Sequence, residues 1–389
     1  MEKEVKIDEL IQQFCPDGVE YKELGEVCHF ERGQSITRKD IIQGEIPVIA
    51  GGKTPAYYCN KWNRQGPSIA ISSSGAYAGY VSYWEQAIFV SDAFTISSRY
   101  MTVKYLYYFL KSIQEEIFSV KKGGGVPHVR GDSISHFRIP VPPLSVQKEI
   151  VRILDSFTEL EAELEAELEA RKKQYDYYKN QLLNFDGRSD VEWKLLEELC
   201  EKIYKINWKT YINSNLKYID LSSVNRENQE IINYQIIDES SAPSRAQQLI
   251  REGDILFGTT RPLLRRYCIV PTEYNNQICS TGFCVLRAKK RVVNPKWIYY
   301  SISYYKFYNY IKQVESGASY PSVSDALLKQ YRIPIPPIEE QKRIVSILDQ
   351  FDTLVNDISK GLPAEIEARR RQYEYYRDRL LTFKEIHHE

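Results

Sequence analysis

Ile139-Pro140-Val141-Pro142-Pro143-Leu144, followed by Gln147-Lys148, Ile150-Val151 and Ile153-Leu154-Asp155, occurs twice in this chain. It returns 194 positions later as Ile333-Pro334-Ile335-Pro336-Pro337-Ile338, Gln341-Lys342, Ile344-Val345 and Ile347-Leu348-Asp349. Each copy is trailed by a second match: Glu169-Ala170-Arg171, Gln174-Tyr175, Tyr177-Tyr178 and Leu182-Leu183 answer Glu367-Ala368-Arg369, Gln372-Tyr373, Tyr375-Tyr376 and Leu380-Leu381 at an offset of 198. A third match opens the halves, where Val19-Glu20-Tyr21-Lys22, Leu24, Glu26 and Cys28 answer Val191-Glu192-Trp193-Lys194, Leu196, Glu198 and Cys200 at an offset of 172. Like ends around unlike middles are the mark of an internal duplication, two heads carried on a common spacer.

Working outward, each proline pair ends an extended segment and releases a helix. From Phe157 the stripe Leu160, Leu164, Leu168, Arg171, Tyr175, Tyr178, Leu182 and Phe185 advances by a mean of 3.5 residues, the period of a left-handed coiled-coil seam. Such a helix needs a helical partner. The second copy supplies Phe351, Leu354, Ile358, Ile366, Tyr373, Tyr376, Leu380 and Phe383, interrupted by Ser359-Lys360-Gly361-Leu362-Pro363, which predicts two helical pieces there. Between the frames lie short β-rich runs (Glu45–Ala50, Ser68–Ser72, Ala87–Val90; Gly253–Gly258, Tyr267–Val270, Thr281–Leu286). Each middle then closes with an aromatic helix, Val103 to Ser119 or Pro295 to Val314, and a glycine-rich turn. The pattern predicts an α+β fold of two globular domains separated by two long helical, coiled-coil spacers in a pseudo-two-fold repeat. The expected boundaries are 1–144 for the first domain with an N-terminal helical arm, 145–185 for the first spacer, 186–338 for the second domain and 339–389 for the second spacer region.

With 389 residues, 43% hydrophobic and 13% aromatic, the chain is large enough for two ordinary cores. Fifty-two basic and 52 acidic residues give a net charge of zero, which argues against a nonspecific nucleic-acid binder driven by counterion release alone. Seven cysteines without a Cys-x-x-Cys pair argue against a disulfide framework or zinc ribbon and for a reducing compartment. No apolar run reaches the ~18 to 20 residues that span a bilayer, and Met1-Glu2-Lys3-Glu4 does not begin a secretory signal. A cytoplasmic protein is expected.

Catalytic motifs fail one by one. Gly51-Gly52-Lys53-Thr54 has the tail of a phosphate-binding loop, but Pro47 stands where the first glycine is required. Pro16-Asp17 with Glu20-Tyr21-Lys22 imitates a metal-nuclease signature at too short a spacing, and its echo Glu192-Trp193-Lys194 points to a structural role. Asn294-Pro295-Lys296-Trp297 lacks the second proline of the amino-methyltransferase tetrapeptide, and His29, His128, His136, His387 and His388 show no ligand spacing. Nucleic-acid signals are more coherent. Lys53, Thr54, Tyr57, Tyr58, Asn60, Lys61, Asn63 and Arg64 interleave cations, amides and aromatics on a turn-rich backbone, and Arg261, Arg265, Arg266 and Tyr267 gather beside a strand. An ordinary surface charge explains each of these residues singly. Gly123, Gly124, Gly125, Gly317 and Ser319 lie in turns that bring backbone N–H groups to a phosphate or simply turn the chain.

The duplicated Pro-Pro, Gln-Lys and Ile-Leu-Asp frame, the Glu-Ala-Arg to Leu-Leu helix ends and the tandem units Glu161-Ala162-Glu163-Leu164 and Glu165-Ala166-Glu167-Leu168 together resemble the specificity subunits of type I restriction-modification systems, across essentially the whole chain. The resemblance implies two target-recognition domains, each reading half of a bipartite double-stranded DNA site. It implies that the spacer helices run antiparallel, set the gap and dock two methyltransferase subunits through Leu160, Leu164, Leu168, Tyr175, Tyr178, Leu182, Leu354, Ile358, Tyr373, Tyr376 and Leu380, with restriction/translocase subunits joined through the methyltransferases. No catalysis or metal is implied in this chain. S-adenosylmethionine, ATP and Mg would belong to the partners, whose surfaces would complete a positive channel around the duplex. Two other classes stay open on the residues alone: a coiled-coil scaffold with two protein-binding domains, and, weakened by the missing motifs, a self-sufficient enzyme.

The tandem units make the spacer adjustable. Inserting one further Glu-Ala-Glu-Leu after Leu168 lengthens a continuous helix by about 6 Å and rotates its far end by about 40°. One base pair rotates about 34 to 36°. The unspecified gap in the target is therefore expected to widen by one base pair with both half-sites intact, as read by sequencing methylated sites. An unchanged gap would show that the helix is not the ruler.

Overall fold

The computed structural model describes residues 9, 11, 13–36, 42–211, 215–357 and 359–386, which form two compact units, one of Met1–Glu163 with Glu367–Glu389 and one of Leu164–Ile366. The expected N-terminal arm falls largely outside the described residues, and Ile358, His387 and His388 fall wholly outside them.

In the first unit the strands are β1 (Tyr21–Glu23), β2 (Cys28–Arg32), β3 (Ile46–Ile49), β4 (Tyr57–Cys59), β5 (Ser68–Ser72), β6 (Val81–Trp84), β7 (Phe89–Val90), β8 (Ala93–Ser98) and β9 (Arg138–Pro140). They form sheets of order β2-β8-β5-β6 and β4-β3-β7 and a ribbon β1-β9. In the second unit they are β10 (Glu192–Leu195), β11 (Leu216–Ile219), β12 (Gln235–Ile237), β13 (Ala246–Leu249), β14 (Ile255–Gly258), β15 (Tyr267–Ile269), β16 (Ile278–Ser280), β17 (Phe283–Leu286) and β18 (Arg332–Ile335), in sheets β15-β14-β17 and β12-β11-β16-β13 and a ribbon β10-β18. The unlike middles therefore share a topology: β6-β5-β8 matches β15-β14-β17, and β4-β3-β7 matches β12-β11-β16, down to one parallel pair in each. Sheet ladders are built from backbone groups, so sequences that agree only in alternation and burial close the same ladder.

The helices longer than five residues are α1 (Val103–Ser112), α2 (Gln114–Ser119), α3 (Leu144–Leu182), α4 (Pro295–Ser303), α5 (Tyr305–Val314), α6 (Ile338–Asn356) and α7 (Leu362–Leu381). Where one aromatic helix is expected in each middle the structure has two, broken at Ile113 (φ −101°, ψ 22°) and at the extended Tyr304 (φ −75°, ψ 142°). The break lets the second helix turn its own buried face, Ile117 or Phe307 and Ile311, onto the same core.

The repeated letters are explained by repeated bonds. Lys22 lies opposite Ile139 and Lys194 opposite Ile333, so the opening and closing frames of each half are two strands of one ribbon. Glu26 and Glu198 accept the backbone N–H groups of Glu23 and Leu195 at 3.2 and 2.7 Å. The fully buried Gln147 accepts the Thr102 N–H at 2.9 Å and donates to the carbonyls of Pro142 and Tyr100 at 2.9 and 3.0 Å. Gln341 does the same with Asn294 at 3.0 Å and Pro336 at 2.9 Å. Asp155 takes Lys104 at 2.8 Å and the Tyr108 hydroxyl at 2.6 Å, and Asp349 takes Lys296 and Tyr300, both at 2.7 Å. Thr102 and Asn294 cap α1 and α4 with their own side chains.

Each long helix finds its partner antiparallel. In the first unit Phe157 of α3 stacks on Tyr376 of α7 at 5.3 Å, and Glu161 pairs with Arg370 at 2.5 Å. In the second, Tyr175 and Tyr178 of α3 stack on Phe351 of α6 at 6.0 and 5.6 Å. The break between α6 and α7 falls where the Gly/Pro stretch predicts it, and a Cβ on Gly361 would lie 2.3 Å from the Thr353 carbonyl oxygen. The end of α3 delivers Leu183 and Phe185 to the second core beside Val191, while the end of α7 delivers Leu380, Leu381 and Phe383 to the first. There Val19 N–H donates to the Lys384 carbonyl at 2.8 Å and Ile386 N–H to that of Val19 at 3.1 Å.

Replacing Gln147 by Ala strands a buried N–H at the start of α1 and is expected to lower stability by about 1–3 kcal/mol in urea unfolding. Gln341→Ala should act alike on the other unit. A fully stable variant would show the glutamine to be dispensable.

Candidate nucleic-acid interface

In the second domain the loop Thr259–Arg266 joins β14 to β15 and is zipped to the glycine-rich turn. Thr260 bridges to Ser322, Arg261 N–H donates to the Pro321 carbonyl at 2.7 Å, and Val323 N–H donates to that of Thr259 at 3.0 Å. The turn is closed beneath by Ser316 and Ser322, at 2.9 and 2.8 Å. Arg261 and Arg265 hold left-handed backbone (φ 49° and 54°) on either side of one 3-10 turn, Pro262–Leu264. Both side chains are exposed, and their guanidinium groups lie 4.4 Å from the ring centres of Tyr320 and Tyr308. Arg266 is half-buried, its carbonyl bonded to Gly258 N–H and its Nε without a partner. Tyr267 is a correction: it lies buried in the core, 5.3 Å from the ring of Tyr299, and is not displayed on the surface beside Arg261 and Arg265.

The first domain repeats the zipper with Ser74 and Lys122 bridged to His128, Gly75 N–H donating to Pro127 and Val129 N–H to Ser73, both at 3.0 Å. Lys53 reaches this region, 5.0 Å from the ring of Tyr77 and 5.8 Å from that of Tyr80. Lys111 lies 4.9 Å from the same Tyr80 ring, and burial, then Lys53 and Arg377, hold its ammonium below the usual lysine range. Thr54, Tyr58, Asn60 and Lys61 are exposed, while Tyr57 packs half-buried against Val48, Cys59 and Phe89. Asn63 and Arg64 are corrections. The Asn63 amide clasps both backbone groups of Val90 at 2.7 and 2.9 Å. Arg64, only 9% exposed, donates to Thr95 and to the carbonyls of Asn63, Arg32 and Glu31, and pairs with the Glu31 carboxylate at 3.0 Å. A cation framed by apolar and turn residues reads alike in sequence whether its partners are carbonyls or phosphates. What that reading missed is a cavity of about 450 Å³ beside the zipper, lined by Arg32, Ser73, Asp92, His128 and Arg130.

Gly123 (φ 116°) and Gly317 (φ 103°) supply the left-handed corner of each turn, and Gly124, Gly125 and Ser319 are exposed at the tips. The seam residues named as docking points are turned inward: Leu164, Tyr175 and Leu380 are buried, and Leu160, Leu168, Leu182, Leu354, Tyr373 and Tyr376 half-buried. Among the described ones only Tyr178 is exposed, though the neighbouring Tyr177 and Tyr375 are 60% and 56% exposed. Burial beside Tyr175 raises the Asp352 carboxyl above its ordinary value, and burial pushes the thiols of Cys28, Cys200 and Cys268 up to about 12, leaving no thiolate at neutral pH. Among the described residues no group of His, Cys, Asp and Glu is placed to hold a metal, and no helix is long and apolar enough to cross a membrane.

Comparison with known proteins agrees with this double architecture. The family model described as type I restriction modification DNA specificity domain matches residues 16–170 and again 188–368. The chain is 32% identical to the type I restriction enzyme EcoR124I/EcoR124II specificity subunit of Escherichia coli, over 94% of each chain. It is 28% identical to a putative type I restriction enzyme specificity subunit of Haemophilus influenzae, over 94% of this chain and 96% of that one. In fold it resembles the crystal structure of the S subunit of a type I restriction-modification system from M. genitalium, with a TM-score of 0.60 and 16% identity over 94% of this chain and 96% of the other.

Arg64→Ala is expected to cost about 1–3 kcal/mol in unfolding, because it strips hydrogen bonds from the buried Thr95 hydroxyl and from three backbone carbonyls while the exposed Glu31 carboxylate is left in water. Lys53→Ala should leave unfolding unchanged. Equal stability of the two variants would return Arg64 to the surface.

Proposed function

We propose, because this chain belongs to the family of type I restriction-modification DNA specificity domains, that each of its two domains reads one half of a bipartite double-stranded DNA target on behalf of a methyltransferase and restriction complex. The observation that carries this reading is the division of labour in the duplicate. The anchoring pairs Gln147 and Gln341, Asp155 and Asp349, Lys104 and Lys296, and Tyr108 and Tyr300 repeat in both halves, whereas the loops beyond the matching strand ends differ. Arg261, Arg265 and Tyr320 stand at those ends in one domain, and Lys53, Tyr77 and His128 in the other. Cations braced on aromatic rings suit phosphate and base-edge contact.

The chain supplies no chemistry of its own in this reading. Methyl transfer from S-adenosylmethionine and Mg-dependent ATP hydrolysis belong to partner subunits in the cytoplasm, and the partners add the positive surface that a chain of zero net charge lacks. Tyr177 and Tyr375 occupy the same place in the two copies of the frame, each edge-on to its neighbouring tyrosine at 5.5 and 5.4 Å. Two equivalent exposed tyrosines suit two copies of one methyltransferase subunit, with restriction subunits held through them.

Replacing residues 30–138 by the corresponding stretch of another family member, in the complete complex, should change one half of the methylated sequence only. A change in both halves, or retention of the parental site by a folded chimera, would refute the two-head model. Tyr177→Ala and Tyr375→Ala should each weaken capture of one methyltransferase copy by roughly tenfold, the loss of an interface anchor. Titration of the purified subunits measures this, and unchanged stoichiometry and affinity in the double variant would move docking elsewhere.

A further inference from the structure

Positions 75 and 261 are the same place in the two domains. Each donates its N–H to the carbonyl of the proline that ends the glycine-rich turn, at 3.0 and 2.7 Å, and each lies two residues beyond a backbone acceptor, Ser73 or Thr259, for the strand that follows. Both backbones are left-handed, with φ 83° for Gly75 and 49° for Arg261. Glycine is the ordinary solution, because a Cβ is crowded by the following carbonyl oxygen in this region. The second domain carries an arginine there instead. Among the described residues no ion pair or side-chain hydrogen bond holds its guanidinium, which rests 4.4 Å from the centre of the Tyr320 ring. Tyr320 is 70% exposed at the tip of the turn, and its counterpart in the first domain is Val126.

Resting on the reading of the chain as a DNA-recognition subunit, we propose that Arg261, braced on Tyr320, is a specificity-determining residue of the second domain that reads a guanine. Gly75 and Val126 leave the first domain without that contact. The argument for a base over a phosphate is geometric. A phosphate accepts a cation from many directions and needs no strained, ring-braced mount. The O6/N7 edge of guanine accepts two parallel N–H bonds from one fixed plane, which a guanidinium held by a zippered backbone and a stacked ring presents.

Arg261→Gly tests this without endangering the fold, since glycine is what the sister domain uses at the same backbone conformation. In the full complex with its methyltransferase subunits, mapped by sequencing of methylated sites, one specified guanine of one half-site should become degenerate. Discrimination there should fall roughly tenfold or more, with the other half-site unchanged. Arg261→Lys, which keeps the charge but not the fork, should relax the same position. An unaltered motif in the glycine variant, or uniformly weaker methylation of an unaltered motif as expected of a phosphate contact, would overturn the proposal, as would a lysine variant that keeps full discrimination. A wild-type complex that methylates no bipartite sequence would overturn the underlying reading as well, which separates the two failures.

Discussion

A glutamine at the first turn of each spacer helix and an aspartate two turns on hold the rest of the molecule in place. Gln147 and Gln341 are almost wholly removed from solvent, where an unmatched amide is costly, and each is matched by the backbone at the start of the aromatic helix and by a proline carbonyl of the frame. Asp155 and Asp349 then take a lysine and a tyrosine from the same aromatic helix. Two points of attachment on one helix leave it no freedom to rotate or slide on the spacer. The sheet above it inherits that orientation, and so does whatever its loops touch.

That division explains which parts of the molecule were readable in advance. The spacer stripe from Phe157 to Phe185, the break before Leu362 and the strands β3, β5, β7, β14, β15 and β17 follow from period and punctuation, because burial selects residue types at fixed intervals. The extension of the duplication into the aromatic helix escaped notice: Lys104-Tyr105-Leu106-Tyr107-Tyr108 against Lys296-Trp297-Ile298-Tyr299-Tyr300 shares only lysine and two tyrosines, in a chain with thirty tyrosines. Its meaning lies in partners far along the chain, since Tyr105 and Trp297 both donate to a frame proline carbonyl, Pro140 or Pro334. The candidate interface was legible as composition and not as direction. Arg64 and Arg261 look alike as letters, yet one is enclosed by four acceptors and the other rests on an exposed ring.

Loop display and stability are thereby kept apart. The repeated residues Gln147, Gln341, Asp155, Asp349, Lys104, Lys296, Tyr108 and Tyr300 bond spacer to aromatic helix, so altering them threatens the fold. Among the residues beyond the strand ends, Tyr77, Arg261 and Arg265 are hydrogen-bonded through their backbones and Lys53 and Tyr320 stand exposed, so their side chains can vary at little structural cost. The zipper between strand end and glycine turn makes this possible, because its hydrogen bonds are indifferent to the side chains it displays.

The closure of Val19 against Lys384 has a consequence for connectivity. Phe185 completes the second core just before Val191, and Phe383 completes the first core beside Val19, so the two domains are finished in the same manner although only one of these junctions is a continuous peptide. Topologically the polypeptide is a necklace with its clasp at one of two equivalent links. Opening it at the other link and fastening the present one would leave each core closed by the same residues, Phe185 with Val191 and Phe383 with Val19, in reversed gene order.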